Sequence, residues 1–186
     1  MTAAPALRPA AFLDRDGVLN RAIIRSGKPH PPASLEELEI VPEAGEALQR
    51  LKEAGFALVV VTNQPDVARG LTPLAVVEAI NQRIRKALPV DAVEMCLHDD
   101  LDGCDCRKPK PGMLTRAAER LRIDLSLSFM VGDRWRDIAA GRAAGCRTIL
   151  VGEGYGERLA SPPEATVATI TEAVEWILES LRNGAT

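Results

Sequence analysis

A doubly wound α/β domain, with a mostly parallel sheet and helices on both faces, is what this sequence predicts. Three observations carry the prediction. Short apolar or β-branched runs alternate with segments of helical period. Those runs are apolar at nearly every position, as strands covered on both sides are. Hydrophobic residues make up 46% of the 186, enough for a sizeable core without disulfides. The first strand is Ala10 to Leu13, after a lead over residues 1–9 that is expected to be flexible. Asn20 to Pro42 then reads as a long loop with four of the thirteen prolines. Glu43 to Ala54 repeats apolar residues at Ala44, Ala47, Leu48 and Leu51 and stops at Gly55, which predicts a capped helix. Phe56 to Thr62 is the second strand. Thr72-Pro73 opens the next helix, Thr72 as cap and Pro73 at its first position, running to about Ala87. Ala92 to Leu97 is the third strand, and His98 to Pro111 a second long loop. Helix Pro111 to Leu121, strand Ser128 to Val131, helix Arg136 to Ala144 with Gly145 as its stop, and strand Arg147 to Val151 complete the alternation. Gly152-x-Gly154-x-Gly156 lacks a dinucleotide fingerprint and reads as a flexible connection. Ile170, Val174, Ile177 and Leu181 share one face of a last helix, Ile170 to Leu181. Residues 1–186 are read as one domain.

Composition narrows the function. Lys and Arg total 23 against 26 Asp and Glu, for a net charge of -3, so binding nucleic acid by bulk positive charge is disfavoured. The densest apolar stretch, Phe56 to Val61, is far too short for a membrane span. Met1 to Ala11 holds two prolines, no lysine and no apolar core, so no secretion signal is read and a cytoplasmic location is expected. There, cysteines more often bind metals or do chemistry than form disulfides.

Ligands of open parallel sheets bind beyond the carboxyl ends of the strands. The first strand runs into Asp14-Arg15-Asp16-Gly17 and the second ends in Thr62-Asn63-Gln64. The third leads to Arg107-Lys108-Pro109, and the fourth to Gly132-Asp133-Arg134, with Asp137 further on. Singly, each of these is ordinary turn, cap or loop chemistry. Together they bring carboxylates, a hydroxyl and a lysine to one rim, and each type serves phosphoryl transfer. Clustered carboxylates call for a hard cation such as Mg²⁺. One carboxylate can then attack phosphorus, a second can move protons, and Thr62 and Lys108 can hold the remaining oxygens.

In this order, Asp14-Arg15-Asp16-Gly17-Val18-Leu19-Asn20, Thr62-Asn63-Gln64, Cys106-Arg107-Lys108-Pro109-Lys110-Pro111-Gly112-Met113 and Gly132-Asp133 resemble the haloacid-dehalogenase-like (HAD-like) phosphohydrolases. Within them the chain looks like the small branch without a cap domain, which holds D-glycero-D-manno-heptose 1,7-bisphosphate 7-phosphatases and histidinol-phosphate phosphatases. The likeness runs from about Ala11 to Gly152. It implies a Rossmann-like HAD fold with no large cap, Asp14 as nucleophile, Asp16 as general acid/base, and Thr62 and Lys108 as stabilisers of the phosphoryl group. It also implies Mg²⁺ bound by Asp14, the main-chain carbonyl of Asp16 and Asp133. Asn63 and Arg107 fall where the family contacts substrate, and Asn20, Gln64, Arg69 and Arg134 are further candidate contacts.

Cys96, His98, Cys104 and Cys106 form a Cys-x-His and Cys-x-Cys set, a combination suited to a closed, tetrahedral zinc site. The same branch carries a zinc loop of this pattern, so residues 96–106 are read as a structural zinc loop. A disulfide or chance clustering would be the plainer explanations. Arg107 and Lys108 follow Cys106 directly, so the metal should also place the catalytic lysine.

Substrate choice rests on the loops. Asn20 to Ala33 carries Arg21, Arg25 and Lys28 and no acid, and Arg69, Arg107 and Arg134 lie near other rim segments. Such donors suit a second phosphate, which favours a sugar bisphosphate over histidinol phosphate, whose ammonium would want a carboxylate. The expected partner is a small phosphorylated metabolite, with no nucleic acid and no membrane, bound by a monomer. Two rival classes remain: a receiver-like phosphate acceptor, in which the lysine should follow the last acid, and a zinc-held binding module without activity.

Overall fold

The computed structural model describes residues 6–183. Six strands form one parallel sheet: β1 (Ala10–Leu13), β4 (Ala57–Asn63), β5 (Ala92–Cys96), β6 (Phe129–Gly132), β7 (Arg147–Val151) and β8 (Ala165–Val167). Their spatial order is β5-β4-β1-β6-β7-β8. The chain thus builds outward from β1 on one side, then returns and builds outward on the other. The order reverses between β1 and β6, and that is where a crevice opens in such sheets.

Alternation along β1 shows how the layers are made. Ala11 and Leu13 point into a core closed by helices α1 (Ala44–Glu53) and α5 (Ile170–Asn183). Ala10 and Phe12 point into a second core closed by α3 (Gly112–Leu121) and α4 (Trp135–Ala144). The remaining helix, α2 (Leu74–Ala87), follows β4. Close packing of α4 on the sheet depends on Gly141, where a Cβ would lie 2.5 Å from Met130 Cβ.

Three expectations change. Pro73, extended at φ -61 and ψ 140, is itself the residue before α2, so the helix starts at Leu74 and Thr72 does not cap it. The Asn20 to Pro42 loop contains a small antiparallel hairpin, β2 (Ile23–Arg25) with β3 (Lys28–His30), turned at Ser26 and Gly27, both with positive φ. An edge strand, β8, lies in the stretch between the last expected strand and helix. Of the lead expected to be flexible, residues 1–5 lie outside the described residues. Arg8 is tied down: its N–H donates to Arg122 O at 3.1 Å and its carbonyl accepts from Asp124 N at 2.9 Å. No large cap covers the carboxyl ends of the strands among the described residues, and none of their helices is long and apolar enough to cross a membrane.

Candidate active site

Asp14 follows β1 and Asp133 follows β6, so adjacent strand ends bring the two carboxylates to the switch point. Asp137, in the first turn of α4, joins them, and one oxygen from each lies within 4.8 Å of the others. Lys108 reaches in from the loop after β5. Its Nζ donates to Asp14 Oδ1 at 2.8 Å and to Val61 O at 2.8 Å, and pairs with Asp137 Oδ1 at 2.6 Å. Burial opposes the charge on Lys108, but Asp137 and Asp14 outweigh it and hold the ammonium above its ordinary range. Three carboxylates against one ammonium leave two negative charges in a buried space. Burial, with Asp14 and Asp137 adding, accordingly pushes Asp133 up to about 9. Burial likewise pushes Asp14 up to about 7, against the pull of Lys108. The hydroxyl of Tyr155 donates to Asp133 Oδ2 at 2.8 Å, while Asp133 Oδ1 is buried with no partner. An orphaned carboxylate oxygen and a deficit of two charges fit a divalent cation with oxygen ligands. Gly17, at φ +95, makes room for this: a Cβ there would sit 1.8 Å from Asp133 Oδ2.

Asp16 faces a different set of groups, all donors. Arg15 binds it with both Nε (3.2 Å) and a terminal nitrogen (3.0 Å), Asn20 Nδ2 donates at 3.1 Å, and Gln64 Nε2 at 2.8 Å. Gln64 also donates to Thr62 Oγ1 at 2.8 Å. Asn20 and Gln64, expected among substrate contacts, are buried and are not among the residues lining the cleft: Asn20 Nδ2 donates to Asp16 and to Arg21 O, Gln64 Nε2 donates to Asp16 and Thr62, and Asn20 Oδ1 is buried without a partner. Both amide nitrogens face Asp16. Arg15, fully buried, is tied in turn to Asn81 of α2 at 2.8 Å.

The cleft above these groups encloses about 290 Å³. Asp14, Asp16, Thr62 and Lys108 lie at its base, and Asn63, Arg69, Arg107 and Arg134 line it as expected from the sequence. Asn63 also fixes Lys108: its Oδ1 accepts from Lys108 N at 3.1 Å and its Nδ2 donates to Lys108 O at 3.0 Å. From the β2–β3 hairpin only Lys28 and its neighbours up to Pro31 reach the cleft. Arg21 and Arg25 point elsewhere, paired with Glu39 at 2.6 Å and Glu37 at 3.0 Å. Most rim cations have counter-charges: Arg69 on Asp66 and Asp99, Arg107 on Asp100, Arg134 on Glu157. Among the described residues Lys28 makes no ion pair.

In the sequence Asp137 stands on the rim without a role, and Tyr155 is not marked as a site residue. Tyr155 lies in the glycine-rich stretch read as a connection, and nothing local in that stretch marks its aim at Asp133.

Cys96, His98, Cys104 and Cys106 converge at the carboxyl end of β5. Cys96 and Cys106 Sγ are 3.2 Å apart and Cys96 and Cys104 Sγ 3.7 Å; His98 Nδ1 lies 3.6 Å from Cys96 Sγ and 3.3 Å from Cys106 Sγ. A tetrahedron with metal–sulfur bonds of about 2.3 Å has edges of about 3.8 Å, so the donor set is compact enough to hold zinc. Cys146 is buried apart from the cluster, its thiol pushed up to about 12 by burial.

Known proteins are similar to the chain in sequence and in fold. The HAD-hydrolase-like family model matches residues 105–182. The D-glycero-beta-D-manno-heptose-1,7-bisphosphate 7-phosphatase of Pseudomonas aeruginosa is 42% identical over 167 residues, covering 86% of this chain and 91% of its own. The corresponding 7-phosphatase of Thermosynechococcus vestitus is 37% identical, covering 94% and 97%. Among solved structures, the D,D-heptose 1,7-bisphosphate phosphatase of B. bronchiseptica, complexed with magnesium and phosphate, superposes with a TM-score of 0.79 at 35% identity, over 92% of this chain and 99% of that one.

Proposed function

Since the chain belongs to the HAD-like phosphatases, in the branch of the heptose-1,7-bisphosphate 7-phosphatases, we propose that it removes the 7-phosphate of D-glycero-D-manno-heptose 1,7-bisphosphate through a phosphorylated Asp14. The observation that carries the chemistry is the buried group of Asp14, Asp133 and Asp137 around Lys108, with Asp133 Oδ1 buried and left without a partner. Asp14, Asp133 and the main-chain carbonyl of Asp16 would hold Mg²⁺. When bound, the ion supplies positive charge that keeps the carboxylates ionised and offsets charge on the phosphoryl oxygens.

The chain's own residues do the rest. A carboxylate oxygen of Asp14 bonds to phosphorus as the bond to the sugar oxygen breaks, and Asp16 gives that oxygen its proton. Lys108 and the Thr62 hydroxyl hold the phosphoryl oxygens, and Asn63 keeps Lys108 in place through its backbone. Water then opens the aspartyl-phosphate: Asp16 takes its proton, its oxygen bonds to phosphorus, and the bond to Asp14 breaks. The basic rim supports a substrate with a second phosphate. The cleft's outer acids, Asp66 and Asp100, are both engaged by arginines, which leaves no ready carboxylate for the ammonium of histidinol phosphate. A structural zinc on Cys96, His98, Cys104 and Cys106 completes the reading.

Phosphate release with Mg²⁺, measured on the heptose bisphosphate, histidinol phosphate and p-nitrophenyl phosphate, tests it. Wild type should favour the bisphosphate, and Asp14→Asn should lose about 10³-fold or more on every ester. An amide variant as fast as wild type would remove the nucleophile from Asp14. A preference for histidinol phosphate would replace the substrate.

A further inference from the structure

Arg136, in the first turn of α4, has no role in the account above, yet it lines the cleft. Its guanidinium packs 5.4 Å from the centre of the Trp135 ring, which limits where it can swing. One terminal nitrogen donates to Asp100 Oδ1 at 3.0 Å, and that same oxygen accepts from Arg107 Nε at 2.8 Å. Arg136 Nε is buried with no partner. A single carboxylate oxygen therefore gathers two guanidinium groups from different elements at one side of the cleft. Like charges this close would separate without it. Asp100 is itself held: it opens the one-turn 3₁₀ segment Asp100–Asp102, where Asp99 accepts from Asp100 N at 2.7 Å and Asp102 accepts from Asp99 N at 2.7 Å.

We propose that Arg136, drawn beside Arg107 by Asp100, is a specificity-determining residue that receives the second phosphate of the substrate. The inference rests on the bisphosphatase reading above. A phosphate has more acceptor positions than one arginine can fill, and two planar guanidinium groups present matched pairs of donors to it. The terminal N–H groups of Arg136 and Arg107 that Asp100 leaves uncommitted are such donors, on side chains that both line the cleft. Asp100 is a positioning residue: it leaves most donors of both arginines free while cancelling part of the repulsion between them. The reacting phosphate, at Asp14 and Lys108, is served by other groups. The pair should therefore act on substrates in proportion to whether they carry a second phosphate.

The experiment compares kcat/KM for the heptose bisphosphate with that for p-nitrophenyl phosphate in wild type, Arg136→Gln, Asp100→Asn and Asp100→Glu. Arg136→Gln should lower the ratio of the two constants about tenfold or more, mainly by raising KM for the bisphosphate. Asp100→Asn should lower it in the same direction, and Asp100→Glu should recover part of the loss. A ratio within twofold of wild type in Arg136→Gln, or an equal loss on both substrates, overturns the receptor. A wild type that does not discriminate between the two substrates overturns the bisphosphatase reading, and the receptor with it. Discrimination in wild type together with no effect of Arg136→Gln overturns the receptor alone.

Discussion

Asp133 shows how much a single residue reports about its site. With Tyr155 on one oxygen and nothing on the other, and with Asp14 and Asp137 nearby, its carboxyl is pushed from 3.8 up to about 9 when no metal is present. The sign of the linkage follows. Below about pH 4 the folded and unfolded chains both keep this proton. Between there and about 9 the unfolded chain has lost it and the metal-free fold keeps it, so the fold loses stability as pH rises through that window. A cation that takes the proton's place reverses the loss. The rise in Tm on adding Mg²⁺ to zinc-replete protein should therefore grow from pH 5 to pH 8. For one displaced proton the linkage reaches about 1.4 kcal/mol per pH unit, roughly 3–6 °C of Tm in a chain of this size. Thermal melts with and without Mg²⁺ across that range check this, and an increment that ignores pH refutes it. At this scale the sequence was informative where chemistry is local. Asp14, Asp16, Thr62 and Asp133 stand at or just after the ends of strands, and Lys108 stands in the loop that follows the third expected strand, so their meeting at one rim could be anticipated. The direction in which Asn20 and Gln64 point was not legible, because whether a side chain faces a cleft or the back of Asp16 is decided by packing between elements.

Elements place these residues, and the loop between β5 and α3 is the least self-sufficient of them. Leu101 at its tip is 97% exposed, and the loop's core contributions are the cysteines themselves. The metal cluster would anchor this loop, which carries Arg107 and Lys108 immediately after Cys106. Removing zinc should thus lower kcat/KM about tenfold or more by loosening Lys108, while Asp14 and Asp133, on other strands, stay in place. Turnover of the chelated protein, with Mg²⁺ resupplied, and of Cys104→Ser measures the effect; unchanged turnover in both would uncouple the loop from catalysis. The elements that went unread share a cause. β2, β3 and β8 have three residues each, too few for a period to declare itself, and β3 includes Pro29, which argues against a strand in sequence but is tolerated at an edge. The central strands, buried at nearly every position, and the amphipathic helices, by contrast, carry burial patterns that can be read directly.

At the scale of the whole molecule, the cleft and both candidate metal sites draw their side chains from a single chain, which is the ground for expecting activity without a second copy. The sheet's edges also discourage pairing. β8 is short, and β5 carries Glu94, paired with Arg120 of α3, on its length. The exposed large apolar residues are spread along the chain, from Leu7 through Ile24, Leu71 and Leu101 to Leu181, and belong to different elements. Parallel topology could be anticipated from strands apolar on both faces, whereas the order β5-β4-β1-β6-β7-β8 could not, since strand composition does not say which neighbour a strand takes. That order nonetheless brings the carboxylates together, because it sets the ends of β1 and β6 side by side within a single sheet. Specific activity should therefore stay constant over about a hundredfold dilution into the nanomolar range, and sedimentation should give the mass of one chain throughout. Activity that falls on dilution, in step with dissociation of a larger species, would mean that a neighbouring copy completes the cleft.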